Sequence, residues 1–293
     1  PSRTNACGRG EAGAAERGIH LTKSLLDSSR KRGPIARREQ WRLVLVGDPR
    51  QLQAVGRGGL LPEISRIVTP IELESIYRFS EPWEAAASLE LRHGNPNVLP
   101  VYEAHRRIKA GTLAEHLDTI TAAWRERHSA GESLAVTATT NDHARLINTH
   151  LQAARVAAGE LDPAQGSAVG REDVEVFVGD VVATRRNRRD LLTDTGDMIR
   201  NRDRWTVTQI SDDGSLALSK LGGSGTVAVP RDSARDIIEL AYAVTEYGNQ
   251  GDTYPAAVAL VSPATSARGL YVAMTRGRHD NVALVVTDTH DPA

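Results

Sequence analysis

The feature that most limits the possible folds is a change of hydrophobic period partway along the chain. Before residue 160 the apolar and alanine residues recur at helical spacing or form short continuous runs. From Val174 to about Asp236 they fall instead into brief β-branched stretches, 174–178, 181–184, 205–210, 216–219 and 226–229, divided by Gly and Asp turns. That texture predicts a small antiparallel barrel. Beyond it, strand-like segments at 258–261 and 281–286 flank an expected helix from Ser266 to about Thr275. The simplest arrangement is a parallel α/β domain interrupted by an inserted β-barrel, because loops of such sheets accept insertions.

The earlier half supplies the expected α/β elements. Leu43-Val44-Leu45-Val46 runs into Gly47-Asp48-Pro49, the pattern of a buried parallel strand delivering a loop at its end, where ligands sit in such sheets. Helical spacing covers 81–93 and 113–127, the latter with Leu117, Ile120 and Trp124 on one face. Residues 133–139 read as a strand, followed by a helix from Asn141, the expected N-cap, through Ala158 to a closing Gly159. Residues 1–40, rich in Gly, Ala, Arg and Ser and broken by Gly33-Pro34, are expected to be poorly ordered.

Bulk properties narrow the function classes. A chain of 293 residues, 40% hydrophobic, can bury cores for two ordinary domains. Its 36 basic residues are offset by 37 acidic ones, so a nucleic-acid surface would be a local patch. One cysteine, Cys7, excludes an internal disulfide framework and a cysteine-built metal site, and fits a reducing, cytoplasmic setting. No apolar run approaches the ~20 residues that span a bilayer, so no membrane partner is expected. The opening Pro1 fits a gene product that extends further upstream.

Three groups of polar residues carry the candidate chemistry. In Gly47-Asp48-Pro49-Arg50-Gln51-Leu52 a glycine-flanked Asp and Gln suit a phosphate or the water beside it; an ordinary turn has the same composition. In Ile76-Tyr77-Arg78-Phe79, with Trp83, the planar fork of Arg78 suits a γ-phosphate, a structural ion pair being the bland alternative, and Trp83 is core sooner than a stacking platform. The third group pairs Thr245-Glu246-Tyr247-Gly248-Asn249-Gln250-Gly251-Asp252-Thr253 with Tyr271-Val272-Ala273-Met274-Thr275-Arg276-Gly277-Arg278. The hydroxyls, amide and glycines of the first run suit a sugar-phosphate backbone. Arg276, at a helix end, has the charge that phosphoryl transfer requires, a solvated helix terminus being the bland alternative for such a run.

In this order the segments resemble the superfamily-one DNA helicases of the RecD-like branch, above all the helicase part of TraA- and TrwC-type conjugative relaxases. The resemblance covers roughly residues 41–287: the run from Leu43 to Leu52 looks like the third helicase motif, Ile76 to Phe79 with Trp83 and Leu91-Arg92 the fourth, Thr245 to Thr253 the fifth and Tyr271 to Arg278 the sixth. It implies a RecA-like parallel sheet of the P-loop NTPase type with an inserted SH3-like barrel. The implied division is 1–40 an atypical leader, 41–75 the remnant of a first motor domain, 76–173 with 237–293 a second motor domain, and 174–236 the barrel. By the same resemblance Gln51, Arg78 and Arg276 are catalytic, sensing or stabilising the γ-phosphate. Gly47, Asp48 and Gly251 join them around the nucleotide, and Thr245, Gln250, Gly251 and Thr253 contact single-stranded DNA.

The departures also carry meaning. No Gly-x-x-x-x-Gly-Lys-Ser/Thr loop occurs in the sequence, and Thr22-Lys23-Ser24 lacks both glycines. Of the acidic magnesium box only Glu11-Ala12-Gly13 remains, with Gly10 where the metal-binding Asp belongs. Tyr247 stands where the family usually has His. The resemblance therefore implies ATP and Mg in the complete family member, none held tightly by this chain, and no metal ligands within it. The expected partners are single-stranded DNA and the missing amino-terminal motor or relaxase portion. A grip on single-stranded DNA or a partner without turnover is the alternative, and Arg185-Arg186-Asn187-Arg188-Arg189 is either its basic track or a solvated loop.

Overall fold

The computed structural model describes residues 37–38, 40, 46–52, 60–72, 76–249, 251 and 253–287. The chain divides into two compact units, 1–74 and 75–293. The described part of the first unit holds helix α1, Leu60–Ile67, and a turn at 48–51. Leu43-Val44-Leu45 and most of 1–40 lie outside the described residues. Val46, expected at the end of a buried strand, is in a loop and 46% exposed, because Gly47-Asp48-Pro49 turns the chain at once.

The second unit begins with α2, Pro82–Arg92, which has Pro in its first turn, and α3, Leu99–Ala104. Then come β1, Ile108–Gly111; α4, Leu113–Ser129; β2, Leu134–Ala138; and α5, Asn141–Ala157. The first turn of α4 is fixed by a reciprocal capping box: Thr112 Oγ1 accepts from Glu115 N, and the Glu115 carboxylate accepts from Thr112 N at 2.8 Å. Helix α5 is capped by Thr140, whose hydroxyl accepts from His143 N at 3.1 Å, so the cap lies one residue before the expected Asn141. Thr140 is the residue still extended, whereas Asn141 is already in the helix.

Short strands follow: β3, Ser167–Val169; β4, Glu175–Phe177; β5, Val181–Thr184; β6, Arg188–Leu192; β7, Met198–Ile199; β8, Arg204–Ile210; β9, Leu216–Lys220; and β10, Thr226–Val229. The chain ends with α6, Arg231–Ile237; β11, Ile238–Leu240; β12, Ala243–Thr245; α7, Glu246–Asn249; β13, Tyr254–Val261; α8, Ala267–Ala273; and β14, Gly277–Val286.

Two five-stranded sheets result. One is wholly parallel, in the order β1-β14-β13-β2-β12, with α4 and α5 packed on it. Its strands β13 and β2 are largely apolar, as strands covered on both faces must be. The other is antiparallel, in the order β10-β9-β8-β5-β11, and its last strand lies past residue 236. Hairpins β3-β4 and β6-β7 form two further small sheets.

A buried polar junction joins the two large sheets. Asp180, fully buried, accepts from the Tyr242 hydroxyl, from Gln152 Nε2 at 2.6 Å and from Phe177 N at 2.7 Å. Arg155 of α5 donates to Tyr242 Oη at 2.8 Å and to the Gly179 carbonyl at 2.9 Å, with its guanidinium over the Trp124 ring. Burial pushes the Asp180 carboxyl up, and its hydrogen bonds pull it back down.

Candidate functional site

The loop before α2 is pinned onto the start of β14: Ser80 N donates to the Arg278 carbonyl at 2.9 Å. From this loop the half-buried Arg78 sends Nη1 to the carbonyl of Thr275. Burial pushes its pKa down, with Tyr271 acting the other way, and an arginine stays charged regardless. Thr275 is itself fixed, its hydroxyl donating to the Tyr271 carbonyl at 2.8 Å.

Arg276 is 1% exposed. Its Nε donates to the Val272 carbonyl at 2.7 Å, Nη2 to Thr275 Oγ1 at 2.9 Å and Nη1 to the Asn249 carbonyl at 3.3 Å. Asn249 in turn donates to Thr137 Oγ1 of β2 at 2.7 Å. One connected set of contacts thus runs from Arg78 through Thr275 and Arg276 to α7, joining three segments that are far apart in the chain. Asn249 is the member that sequence reasoning left out of the site, although it lies in the quoted run; a buried amide in so short a helix leaves no periodic signal.

The start of β14 is held as tightly. Asn281 Oδ1 accepts from Gly277 N at 2.7 Å, and its Nδ2 donates to the Gly277 carbonyl and to Glu84 Oε1 at 2.9 Å. A Cβ on Gly277 would overlap the Asp280 carbonyl. Glu84 is fully buried, with Oε2 lacking a hydrogen-bond partner, and burial pushes its carboxyl up.

The remaining candidates are dispersed. Thr245 ends β12 and borders a cavity of about 440 Å³ that Arg145, Arg171, Arg185, Glu172 and Glu239 also line. Gly251, at φ +105°, and Thr253 are exposed, and Gln250 lies outside the described residues. Gly47, Asp48 and Gln51 belong to the first unit. There Asp48 Oδ1 accepts from Arg50 N at 2.9 Å, and Gln51 N donates to the Asp48 carbonyl at 3.3 Å, the wiring of an Asx turn. Trp83 stacks on His105, ring centroids 3.8 Å apart, and packs against a small core with Tyr102 and Met274.

The basic stretch is largely neutralised. Arg185 pairs with Glu239, Arg186 with Asp236 and Arg188 with Asp190, whose carboxyl the Arg188 fork holds down at about 2. Among the described residues no cluster of His, Cys, Asp and Glu stands ready for a metal, and no helix is long and apolar enough to cross a membrane.

A family model described as an AAA domain matches residues 31–113. The conjugal transfer protein TraA of Rhizobium radiobacter is 28% identical over 241 residues, covering 82% of this chain and 21% of that protein. The probable conjugal transfer protein TraA of Sinorhizobium fredii is 28% identical over 242 residues, with the same shares. The chain thus spans about a fifth of the length of these curated relatives. Among solved structures, the Pif1 helicase from Candida albicans superposes with a TM-score of 0.56 at 16% identity, covering 93% of this chain and 71% of that one. The Pif1 helicase from Bacteroides in complex with ADP-AlF3 and ssDNA gives 0.55 at 16% identity, covering 91% and 69%. The fold is α/β and RecA-like, similar to that of the Pif1 helicases, and the sequence resembles that of the TraA conjugal transfer proteins.

Proposed function

We propose that this chain is the carboxy-terminal part of an ATP-dependent DNA helicase or translocase of the conjugative-relaxase type. In the complete protein it couples ATP hydrolysis to movement along single-stranded DNA. In this reading 76–173 and 237–293 form the second motor domain, 41–75 belong to the first, and 174–236 are the SH3-like insertion. The observation that carries it is the meeting of Arg78 and Arg276 on Thr275, which Arg78 reaches across 197 residues of sequence. The part-exposed Arg78 has the permanent planar charge that a γ-phosphate requires, and Arg276 fixes the threonine on which it rests. By the family resemblance Gln51, in the first unit, has a γ-phosphate role in the complete protein.

The residues present fit the polyphosphate better than the metal. Arg78 is the part-exposed cation and meets the phosphate; Arg276, buried on main-chain carbonyls, holds α7 and Thr275 in register with it. Bound magnesium would neutralise phosphate charge, and among the described residues no group of three or more His, Cys, Asp or Glu could hold it. Thr245, Gln250, Gly251 and Thr253 contact the DNA backbone.

The sequence lacks the phosphate loop, which favours a second reading: this chain alone grips single-stranded DNA without turnover. The purified chain is therefore expected to show no ATPase above background, with or without single-stranded DNA. Loss of one positioned arginine costs about 10³–10⁵ in rate, and here the whole cradle is missing. DNA binding is expected to be weak, independent of sequence and steeply reduced by salt. An ATPase assay beside a titration of labelled oligothymidine at low and high salt checks both halves. DNA-stimulated hydrolysis abolished by Arg276→Ala would reveal a working motor, and absence of any DNA binding would sink the helicase reading for this chain.

A further inference from the structure

Helix α7, Glu246–Asn249, is a single turn, too short to hold itself by its own hydrogen bonds. It lies within the run proposed to grip DNA. The carbonyls at the end of a helix need outside donors, and here two arginines from different parts of the fold supply them. Arg276, on the candidate nucleotide side, takes the Asn249 carbonyl. Arg202, from the turn between β7 and β8 of the antiparallel region, takes the Tyr247 carbonyl.

The turn that carries Arg202 is built for this reach. Arg202 itself sits at φ +73°, a conformation that strains a residue with a side chain and leaves glycine unstrained. It is locked there by Thr184, whose hydroxyl donates to the Arg200 carbonyl at 2.7 Å, and by Asp203, which accepts from Arg200 N at 2.9 Å. Burial pushes the Arg202 pKa down, and Arg185 nearby adds to the effect, so the cation is held away from bulk water and against like charge. Two residues on, Arg204 donates to the Tyr254 hydroxyl at 3.0 Å and to the Ala241 carbonyl at 2.8 Å. One turn and strand of the antiparallel region therefore hold the run at both ends, at Tyr247 and at Tyr254.

We propose that Arg202, aided by Arg204, is a positioning residue through which the antiparallel sheet sets the placement of the strand-gripping segment, so that α7 answers both to this sheet and to Arg276. The effect on DNA rests on the helicase reading above; the clamp on α7 does not. Arg202→Gly is the informative variant, because glycine accepts φ +73° without strain and removes only the side chain with its guanidinium. Arg202→Lys restores a cation that donates in the same direction.

The experiment is amide hydrogen exchange of residues 246–255 in the full chain, beside a titration with labelled oligothymidine. Arg202→Gly is expected to unfold at the same temperature or slightly higher, with exchange in 246–255 about tenfold faster and oligothymidine bound several-fold more weakly, the size that loss of one charge-assisted hydrogen bond carries. Arg202→Lys is expected to recover much of both. Unchanged exchange in 246–255 overturns the proposal. So does faster exchange with unaltered DNA affinity, or an affinity loss that Lys does not rescue. If the parent chain binds no DNA, the helicase reading fails, and exchange with its rescue by Lys decides on the clamp.

Discussion

In the parallel sheet β2 is buried at every position and β13 at five in succession, whereas in the antiparallel sheet β10 alternates exposed with buried and β8 buries only Trp205 and Val207. The first pattern follows from cover on both faces, the second from one face left to solvent. A one-residue slip would bring every outward side chain of β10 inward, so that strand is specified by alternation, whereas β5, next to the edge strand β11, is buried at all four positions. The parallel strands lack that safeguard and depend on what packs over them. The two regions meet at Asp180, where the fold has replaced apolar packing by a satisfied polar network.

The largest expected effect tests that meeting point. Asp180→Ala leaves the Tyr242 hydroxyl, Gln152 Nε2 and Phe177 N without this buried acceptor and should cost about 3–5 kcal/mol in urea unfolding. Hydrogen exchange read alongside sharpens the comparison. Protection lost in both sheets makes them one cooperative body, and loss confined to 181–240 makes the antiparallel region a separate one.

A smaller effect belongs to the parallel side. The folded Glu84 carboxyl sits above its ordinary 4.5, so its contribution is full below that value and is lost as pH rises through the folded pKa. Glu84→Gln keeps an acceptor for Asn281 and removes the ionisation. The variant should melt about 2–4 °C above the parent at pH 8, the shift that ~1 kcal/mol gives a unit of this size, and with little difference near pH 4. Equal melting at both pH values would mean that Glu84 is ionised in the fold, with Arg107 its counter-charge.

The smallest effect distinguishes two neighbouring residues at the entry to α5. Thr140→Ala should cost about 1 kcal/mol by chemical denaturation, and Asn141→Ala no more than about 0.5 kcal/mol. The reverse order would restore Asn141 as the cap.

The same contrast separates what is legible in the sequence from what is not. Strands β5, β9 and β10 are readable because each is a run of β-branched or alternating apolar residues between turns. Strand β1 is not: Ile108-Lys109-Ala110-Gly111 has one large apolar residue and takes its place by pairing at the sheet edge with β14. Strand β6 is hidden in a charge run, since Arg188 is held by Asp190 and by Ser233 from α6, partners that no local pattern announces. In the candidate site, Arg78 and Arg276 are each identifiable by residue type and by their order in the chain. Their meeting on one threonine is a tertiary fact, and the roles of Asn249 and Asn281 follow only from which carbonyls and amides the fold leaves beside them.

Gly277 constrains how the chain can vary. The residue after Arg276 has no space for even a methyl group, and its amide and carbonyl are both taken by Asn281. For directed evolution, position 277 has an alphabet of one letter. A library randomised across this run would return glycine there whatever it selects at 275, 276 and 278, and any re-aiming of Arg276 would have to be found in the elements that receive its hydrogen bonds.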